Sequence, residues 1–141
     1  MSSDALDAAA RALARRDRSE AGVRDLLQRK GIAEEDAAKA VETLRRIGAV
    51  DDDRFASAGA ASLAERGYGD AAILFRLERE GVERELAVSA VEALEPEPER
   101  ARRLVERRGA TAKTARWLAA RGFADDSLEA AIAERAATEL G

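Results

Sequence analysis

The sequence contains no cysteine and no histidine. Structural zinc sites are built from cysteine thiolates and histidine imidazoles, so this composition excludes such a site. Nucleophilic catalysis through cysteine–histidine or serine–histidine pairs is excluded for the same reason. The lack of cysteine agrees with a reducing compartment, in which disulfides are rare. From these residues we expect no metal, no cofactor and no enzymatic activity.

Proline, aromatic side chains and long apolar runs are also scarce. There are only two prolines, and aromatic residues make up 4% of the chain. No stretch approaches the roughly 18 consecutive apolar residues that a membrane-spanning helix needs. The N-terminus has no apolar signal segment, so we expect a cytoplasmic protein. The net charge of −4 argues against a protein that coats nucleic acid over its whole surface.

Glycines divide the remaining alanine-rich, charged sequence into segments of helical length. Glycine is favoured just past a helix end, and six glycines have this spacing: Gly31, Gly48, Gly67, Gly81, Gly109 and Gly122. Segments begin at residues such as Ser19, Asp51, Asp70 and Asp125, whose oxygens suit the unpaired amides of a helix N-terminus. The pattern predicts an all-α protein. Its nine helices are expected at about 4–16, 19–30, 34–47, 52–66, 70–80, 83–94, 98–108, 111–121 and 125–139.

These nine helices form three copies of one unit, because several residue types recur at matching positions. Leu27, Leu77 and Leu118 are each followed four residues later by a glycine. An arginine follows the first leucine of each copy at Arg16, Arg66 and Arg107. We therefore predict three tandem three-helix repeats at 1–50, 51–95 and 96–141, stacked into an elongated, curved arc that forms one continuous domain. The Pro96–Pro98 segment is the expected place for the arc to bend.

Positive charge is unevenly distributed over the repeats. The net charge of residues 1–50 is +1, that of 51–95 is −6 and that of 96–141 is +1. Within the outer repeats the basic residues concentrate at 11–30 and 100–121. This distribution predicts two basic patches, separated by an acidic middle repeat, that contact phosphates or an acidic protein surface. The alternative is that these arginines form ordinary solvated helix faces.

Other candidate sites are weaker. Asp51, Asp52 and Asp53 lack the spaced oxygen loop of a calcium site, and helix capping explains them better. Trp117 adjoins a core leucine and is expected in the core, whereas Tyr68 is expected to be exposed in a loop. Two aromatic residues are too few for a platform that stacks single-stranded bases.

Three stretches of the chain together resemble the RecX family. They are Ala12-Leu-Ala-Arg-Arg-Asp-Arg-Ser19, then Asp51-Asp-Asp-Arg-Phe-Ala56, and then Arg66-Gly-Tyr-Gly69 leading to Gly81. The resemblance implies a small protein of tandem three-helix repeats that modulates the recombinase RecA. Such a protein lies in the groove of a RecA–single-stranded DNA filament. There it restrains filament growth, ATP turnover, strand exchange and the self-cleavage of the SOS repressor that the filament induces.

The middle repeat departs from the family pattern, since the stretch from Asp70 to Glu80 carries only two basic residues. We therefore assign the candidate contacts with RecA or DNA to the outer repeats. They are Arg15, Arg16, Arg18, Arg24 and Arg29 in the first repeat, and Arg102, Arg103, Arg107, Lys113 and Arg116 in the third.

Two hypotheses follow for the function. The first is a monomeric regulator that binds the RecA filament and negatively modulates its activities. The second is a DNA-binding helical module that uses the two basic patches without a recombinase partner. Phosphate-driven binding to DNA weakens steeply with salt, whereas binding to the filament requires the recombinase.

Overall fold

The computed structural model describes residues 2–140 and the side chains of 4–139, and all regular structure in that part of the chain is helical. The bounds agree with the predicted ones to within two residues, since the glycine and capping signals are local. The helices are α1 (Ser2–Arg15), α2 (Glu20–Arg29), α3 (Glu34–Arg46), α4 (Asp52–Glu65), α5 (Asp70–Arg79), α6 (Arg84–Glu92), α7 (Glu97–Arg108), α8 (Ala112–Ala120) and α9 (Asp125–Leu140).

Local chemistry explains where the helices begin and end. The six glycines predicted at helix ends all have positive φ, a conformation that glycine adopts without steric cost. Ser19 and Asp51 cap α2 and α4, because their side chains accept hydrogen bonds from the amides of Gly22 and Arg54. The capping interpretation of the acidic run at 51–53 is therefore confirmed at Asp51.

Each group of three consecutive helices surrounds its own apolar core. Val23, Leu27 and Val41 are fully buried between α1, α2 and α3. Equivalent cores lie between α4, α5 and α6 and between α7, α8 and α9. We call these groups repeats 1, 2 and 3; their exact residue boundaries at 1–50, 51–95 and 96–141 stay predictions. Alanines contribute much of each core, so the helices approach closely but each side chain buries little area.

The junction between repeats 1 and 2 joins a glycine turn to a helix N-terminus. A Cβ built on Gly81 would lie 2.5 Å from the Cβ of Ala21, so the turn after α5 packs directly on α2. The Ser19 hydroxyl donates a 2.5 Å hydrogen bond to the Glu80 carbonyl. The Asp52 carboxylate, at the start of α4, accepts from the Glu20 amide at 2.9 Å. A glycine is required at 81 because of this close approach.

The same arrangement joins repeats 2 and 3. A Cβ on Gly122 would lie 2.6 Å from the amide nitrogen of Ala72, so the turn after α8 packs on α5. The carboxylate of Glu97, at the start of α7, accepts from the amides of Asp70 at 2.7 Å and Ala124 at 2.9 Å. Glu97 is only 7% exposed. Its carboxylate thereby joins the N-terminal ends of α5 and α9 across the junction.

Two expectations concern this region. Asp70 begins α5 and places its negative charge in the first turn, as predicted, but Glu97 of the next repeat accepts the hydrogen bond from the free amide at the start of the helix. The Pro96–Pro98 segment was expected to be the place where the arc bends, which stays a prediction. It adjoins the buried Arg100, whose guanidinium donates to the Asp70 carboxylate at 2.8 Å and to the Tyr68 carbonyl at 3.1 Å. These long-range contacts hold the segment against repeat 2.

Candidate functional site

Four arginines predicted as contacts in repeat 1 converge near the first junction. Arg16, Arg18 and Arg29 line one cavity, and the charge of Arg15 also acts on Arg18. Burial, followed by the neighbouring Arg16, Arg15 and Arg29, lowers the pKa of Arg18 below its ordinary value. The structure thus brings these predicted residues together into a region of repelling positive charge.

Arg24, the fifth candidate in repeat 1, lies in a different environment. It lines a groove together with Glu20, Asp52 and Glu83. Arg45 in the same groove donates to Glu20 at 2.7 Å, and this hydrogen bond raises the pKa of Arg45 above its ordinary value. Three carboxylates share this groove with Arg24, which makes it a weaker candidate for binding an anionic partner.

The five candidates in repeat 3 divide into two groups. Arg102 forms ion pairs with Glu99 and Glu134, and the hydrogen bond to Glu134 raises the pKa of Arg102 above its ordinary value. Arg103 forms an ion pair with Glu95. Within residues 4–139 the other three form no ion pair, and all are exposed: Arg107, Lys113 and Arg116. The free cations are thus the better candidates in this repeat.

Three arginines of repeat 2 were not among the predicted contacts. Arg66 and Arg76 line a groove between α4 and α5, and Arg79 lines the same groove. Arg79 also lines the cavity that contains Arg16, Arg18 and Arg29. Repeat 2 therefore supplies a basic connection between its neighbours, although its net charge is −6.

A signal for these residues was present in the repeat pattern. Arg66 occupies the position of Arg16, and Arg79 precedes Gly81 by the same two residues that separate Arg29 from Gly31. The net charge of the whole repeat concealed these arginines, because it counts acids of repeat 2 that make contacts elsewhere and do not neutralise them. Asp51 and Asp52 cap helices, for example, and Glu78 pairs with Arg84 at 2.8 Å.

Arginines and aromatic rings alternate across the second junction. The guanidinium of Arg76 lies 4.3 Å from the centre of the Tyr68 ring, and that of Arg121 lies 4.1 Å from it. Arg121 is also 4.7 Å from the Trp117 ring, which Arg108 approaches to 3.8 Å. Such cation–π contacts stabilise an arginine by about 0.5–1 kcal/mol at exposed sites.

The two aromatic residues of this stack, Tyr68 and Trp117, were expected to be exposed and to lie in the core, respectively. Tyr68 is partly buried between Arg76 and Arg121 and packs against the core of repeat 2, so the expectation of an exposed ring is wrong. Trp117 packs against the core of repeat 3, as expected, although it is not fully buried. Both rings are occupied by arginines, so they do not form a free stacking platform.

These contacts connect the basic residues of all three repeats. We call the connected set the arginine row: Arg16, Arg18, Arg29, Arg79, Arg66, Arg76, Arg121 and Arg108. Arg79 joins its first and middle parts, and Tyr68 joins its middle and last parts. The expected separation into two basic patches by an acidic repeat is therefore wrong. Chemically, the row suits phosphates or carboxylates, which arginine binds in bidentate geometry.

Among residues 2–140, no helix is long and apolar enough to cross a membrane. In the same part of the chain, no group of three acidic side chains is placed to hold a metal ion.

Comparisons with known proteins agree with the repeat architecture. Residues 5–44 match the family described as RecX, first three-helix domain. The fold resembles the crystal structure of RecX from Lactobacillus salivarius, with a TM-score of 0.81 and 20% identity, over 94% of this chain and 95% of that one. A crystal structure of regulatory protein RecX has a TM-score of 0.77 at 20% identity, covering 91% and 71% of the respective chains. No curated protein matches in sequence. The predicted all-α repeat fold and the resemblance to RecX are confirmed.

Proposed function

We propose that this chain, whose residues 5–44 match the first three-helix domain of RecX and whose fold resembles RecX structures, is a regulatory protein that binds the RecA–single-stranded DNA filament. It would negatively modulate filament growth, ATPase activity, strand exchange and SOS co-protease activity. The observation that carries this proposal is the arginine row, which extends over all three repeats. A filament offers anionic groups at regular intervals, so a row of cations can contact several of them at once.

The two junctions favour simultaneous contacts. Glu97 and Arg100 join repeats 2 and 3 through buried hydrogen bonds, and Ser19 and Asp52 join repeats 1 and 2. When one contact of a connected body forms, the others become intramolecular and their effective concentration rises. Individually weak arginine contacts then add up to useful affinity.

The test measures the DNA-dependent ATPase rate of RecA during titration with this protein and with charge-reversed variants. Arg79→Glu changes the residue that links the two parts of the row. Arg46→Glu is the matched control, since Arg46 is also exposed but lies on α3, outside the row. We expect inhibition by the unmodified protein, loss of about tenfold or more in potency for Arg79→Glu, and little change for Arg46→Glu. Equal potency of all three proteins, or no inhibition at equimolar amounts, would refute the proposal.

The second function, DNA binding without a recombinase, would use the same row. Anisotropy measurements with labelled single-stranded and duplex DNA, in the absence of RecA, distinguish the two. A regulator of the filament binds naked DNA weakly and resists duplex competitor once RecA is present. A DNA-binding module binds without RecA, and its affinity falls steeply with salt.

A further inference from the structure

A small cavity lies at the junction between repeats 1 and 2, and we call it the first-junction cavity. Its volume is about 310 Å³, and four arginines line it: Arg16, Arg18 and Arg29 from repeat 1 and Arg79 from repeat 2. Two acids, Asp25 and Glu80, lie in the same lining. The charged lining therefore has a formal charge of +2, which matches that of a phosphate dianion with opposite sign.

Most of this positive charge has no partner within the protein. Arg29 pairs with Asp25 at 3.2 Å, but both side chains are largely exposed. Arg16 and Arg79 form no ion pair with any residue between 4 and 139. The Nε of Arg18 is buried without a hydrogen-bond partner, although the charge of Glu80 acts favourably on this guanidinium. The Nε atoms of Arg24 and Arg100 are likewise buried without a hydrogen-bond partner, so what distinguishes this cavity is the excess of positive charge that two repeats contribute to its lining.

At the second junction, an aromatic ring of the protein itself contacts two of the arginines. There, Tyr68 occupies the repeat position that Arg18 has at the first junction. Its ring contacts Arg76 and Arg121, and Arg121 also donates to the Gly67 carbonyl at 3.1 Å. The first junction has an arginine in place of this ring and contains no aromatic side chain in its lining. The cation–π contacts that the ring supplies at one junction are thus absent from the lining of the other.

We propose that the first-junction cavity binds a phosphate group, held by Arg18 and Arg79 with Arg16 and Arg29 at its rim. The phosphate would belong to a free nucleotide or to a nucleic-acid backbone, which present the same chemistry. Arginine forms bidentate, charge-assisted hydrogen bonds with phosphate oxygens, and here the arginines come from two repeats. The inference deepens the proposed function, because the cavity is one end of the arginine row, but phosphate binding itself requires no recombinase.

The experiment titrates inorganic phosphate into the isolated protein at constant ionic strength in chloride, followed by calorimetry and phosphorus NMR. We expect saturable binding of one phosphate per chain. Arg18→Gln and Arg79→Gln should each weaken it about tenfold or more, the effect of losing a charged hydrogen bond. Arg46→Gln, which removes an exposed arginine elsewhere, should change it by less than about twofold. If thermal melting shows that Arg18→Gln loosens the fold, Arg79→Gln decides the question, since Arg79 is exposed.

A second set of titrations identifies the source of the phosphate. An adenosine monophosphate that binds like inorganic phosphate supports a free nucleotide. A short oligothymidylate with hydroxyl ends that binds more tightly, with the same sensitivity to Arg79→Gln, supports a nucleic-acid backbone. Absence of saturable binding by all three probes, or an equal loss with Arg46→Gln, would overturn the proposal. Because RecA is absent from these titrations, their failure is distinguishable from failure of the ATPase test.

Discussion

Replacing Glu97 by alanine should destabilise the protein far more than its position beside two prolines suggests. The Glu97 carboxylate is 7% exposed and accepts from the amides of Asp70 and Ala124, at the N-terminal ends of α5 and α9. A hydrogen bond to a charged group contributes about 1.5–3 kcal/mol, so the two bonds together are worth about 3–6 kcal/mol. Water that enters the truncated site recovers part of this, which leaves an expected loss of about 2–4 kcal/mol.

The assay is urea and thermal denaturation followed by circular dichroism. At roughly 3 °C per kcal/mol for a chain of this size, Tm should fall by about 6–12 °C. Glu106→Ala is the control, since Glu106 is an exposed acid on the same helix and its loss should cost less than about 0.5 kcal/mol. Hydrogen exchange should also accelerate at the amides of Asp70 and Ala124. If Glu97→Ala is as stable as Glu106→Ala, the carboxylate does not hold the second junction as we argue.

Three further predictions concern the junctions. In urea denaturation, Gly122→Ala should lower the free energy of unfolding by at least about 2 kcal/mol more than Gly31→Ala does. Both glycines have positive φ, but only a Cβ at 122 would meet backbone atoms, at 2.6 Å. Equal losses for the two variants would contradict this close approach. Tyr68→Leu should lower the free energy of unfolding by about 1–2 kcal/mol, because the ring lies within 4.3 Å of two arginine guanidinium groups. Unchanged stability would show that those contacts contribute nothing. Burial raises the pKa of Asp52 above its ordinary value, so its contribution to stability is present at low pH and is lost as pH rises through that raised pKa. The free energy of unfolding of the unmodified protein, relative to that of Asp52→Asn, should therefore increase as pH falls from neutral through the raised pKa of Asp52. A difference that does not change with pH would contradict the raised pKa.

Helix ends and repeat register were predictable because their causes are local. Gly31 and Gly81 end helices through their own φ angles, and Ser19 caps α2 through an amide three residues away. The leucine and glycine spacing reflects one core that is built three times. The Ala12–Ser19 stretch, which carried part of the family resemblance, contains the end of α1 and the connection to α2.

The candidate surface was predictable only in part. Arg16, Arg18 and Arg29 were predicted from the basic 11–30 stretch and do line one cavity, whereas their contact with a partner stays a prediction. The pairing of Arg102 with Glu134, 32 residues away, and of Arg103 with Glu95, before the helix, was not readable from the sequence, whereas Glu99 stands three residues before Arg102 on the same helix. A count of charges along the chain records how many are present but not which of them are already paired.

Interactions between residues close in the chain set the helices, and residue spacing along the chain shows their grouping into three repeats and the positions at which arginine recurs. Tertiary structure alone decided that Arg79 faces the cavity of the preceding repeat, that Tyr68 stacks with Arg121 of the following one, and that Glu97 caps a helix 27 residues earlier in the chain. The physical reason is the range of the interactions. Capping and glycine turns act within a few residues, whereas the pairing of a charge depends on which side chains the packing of separate repeats brings within hydrogen-bonding distance.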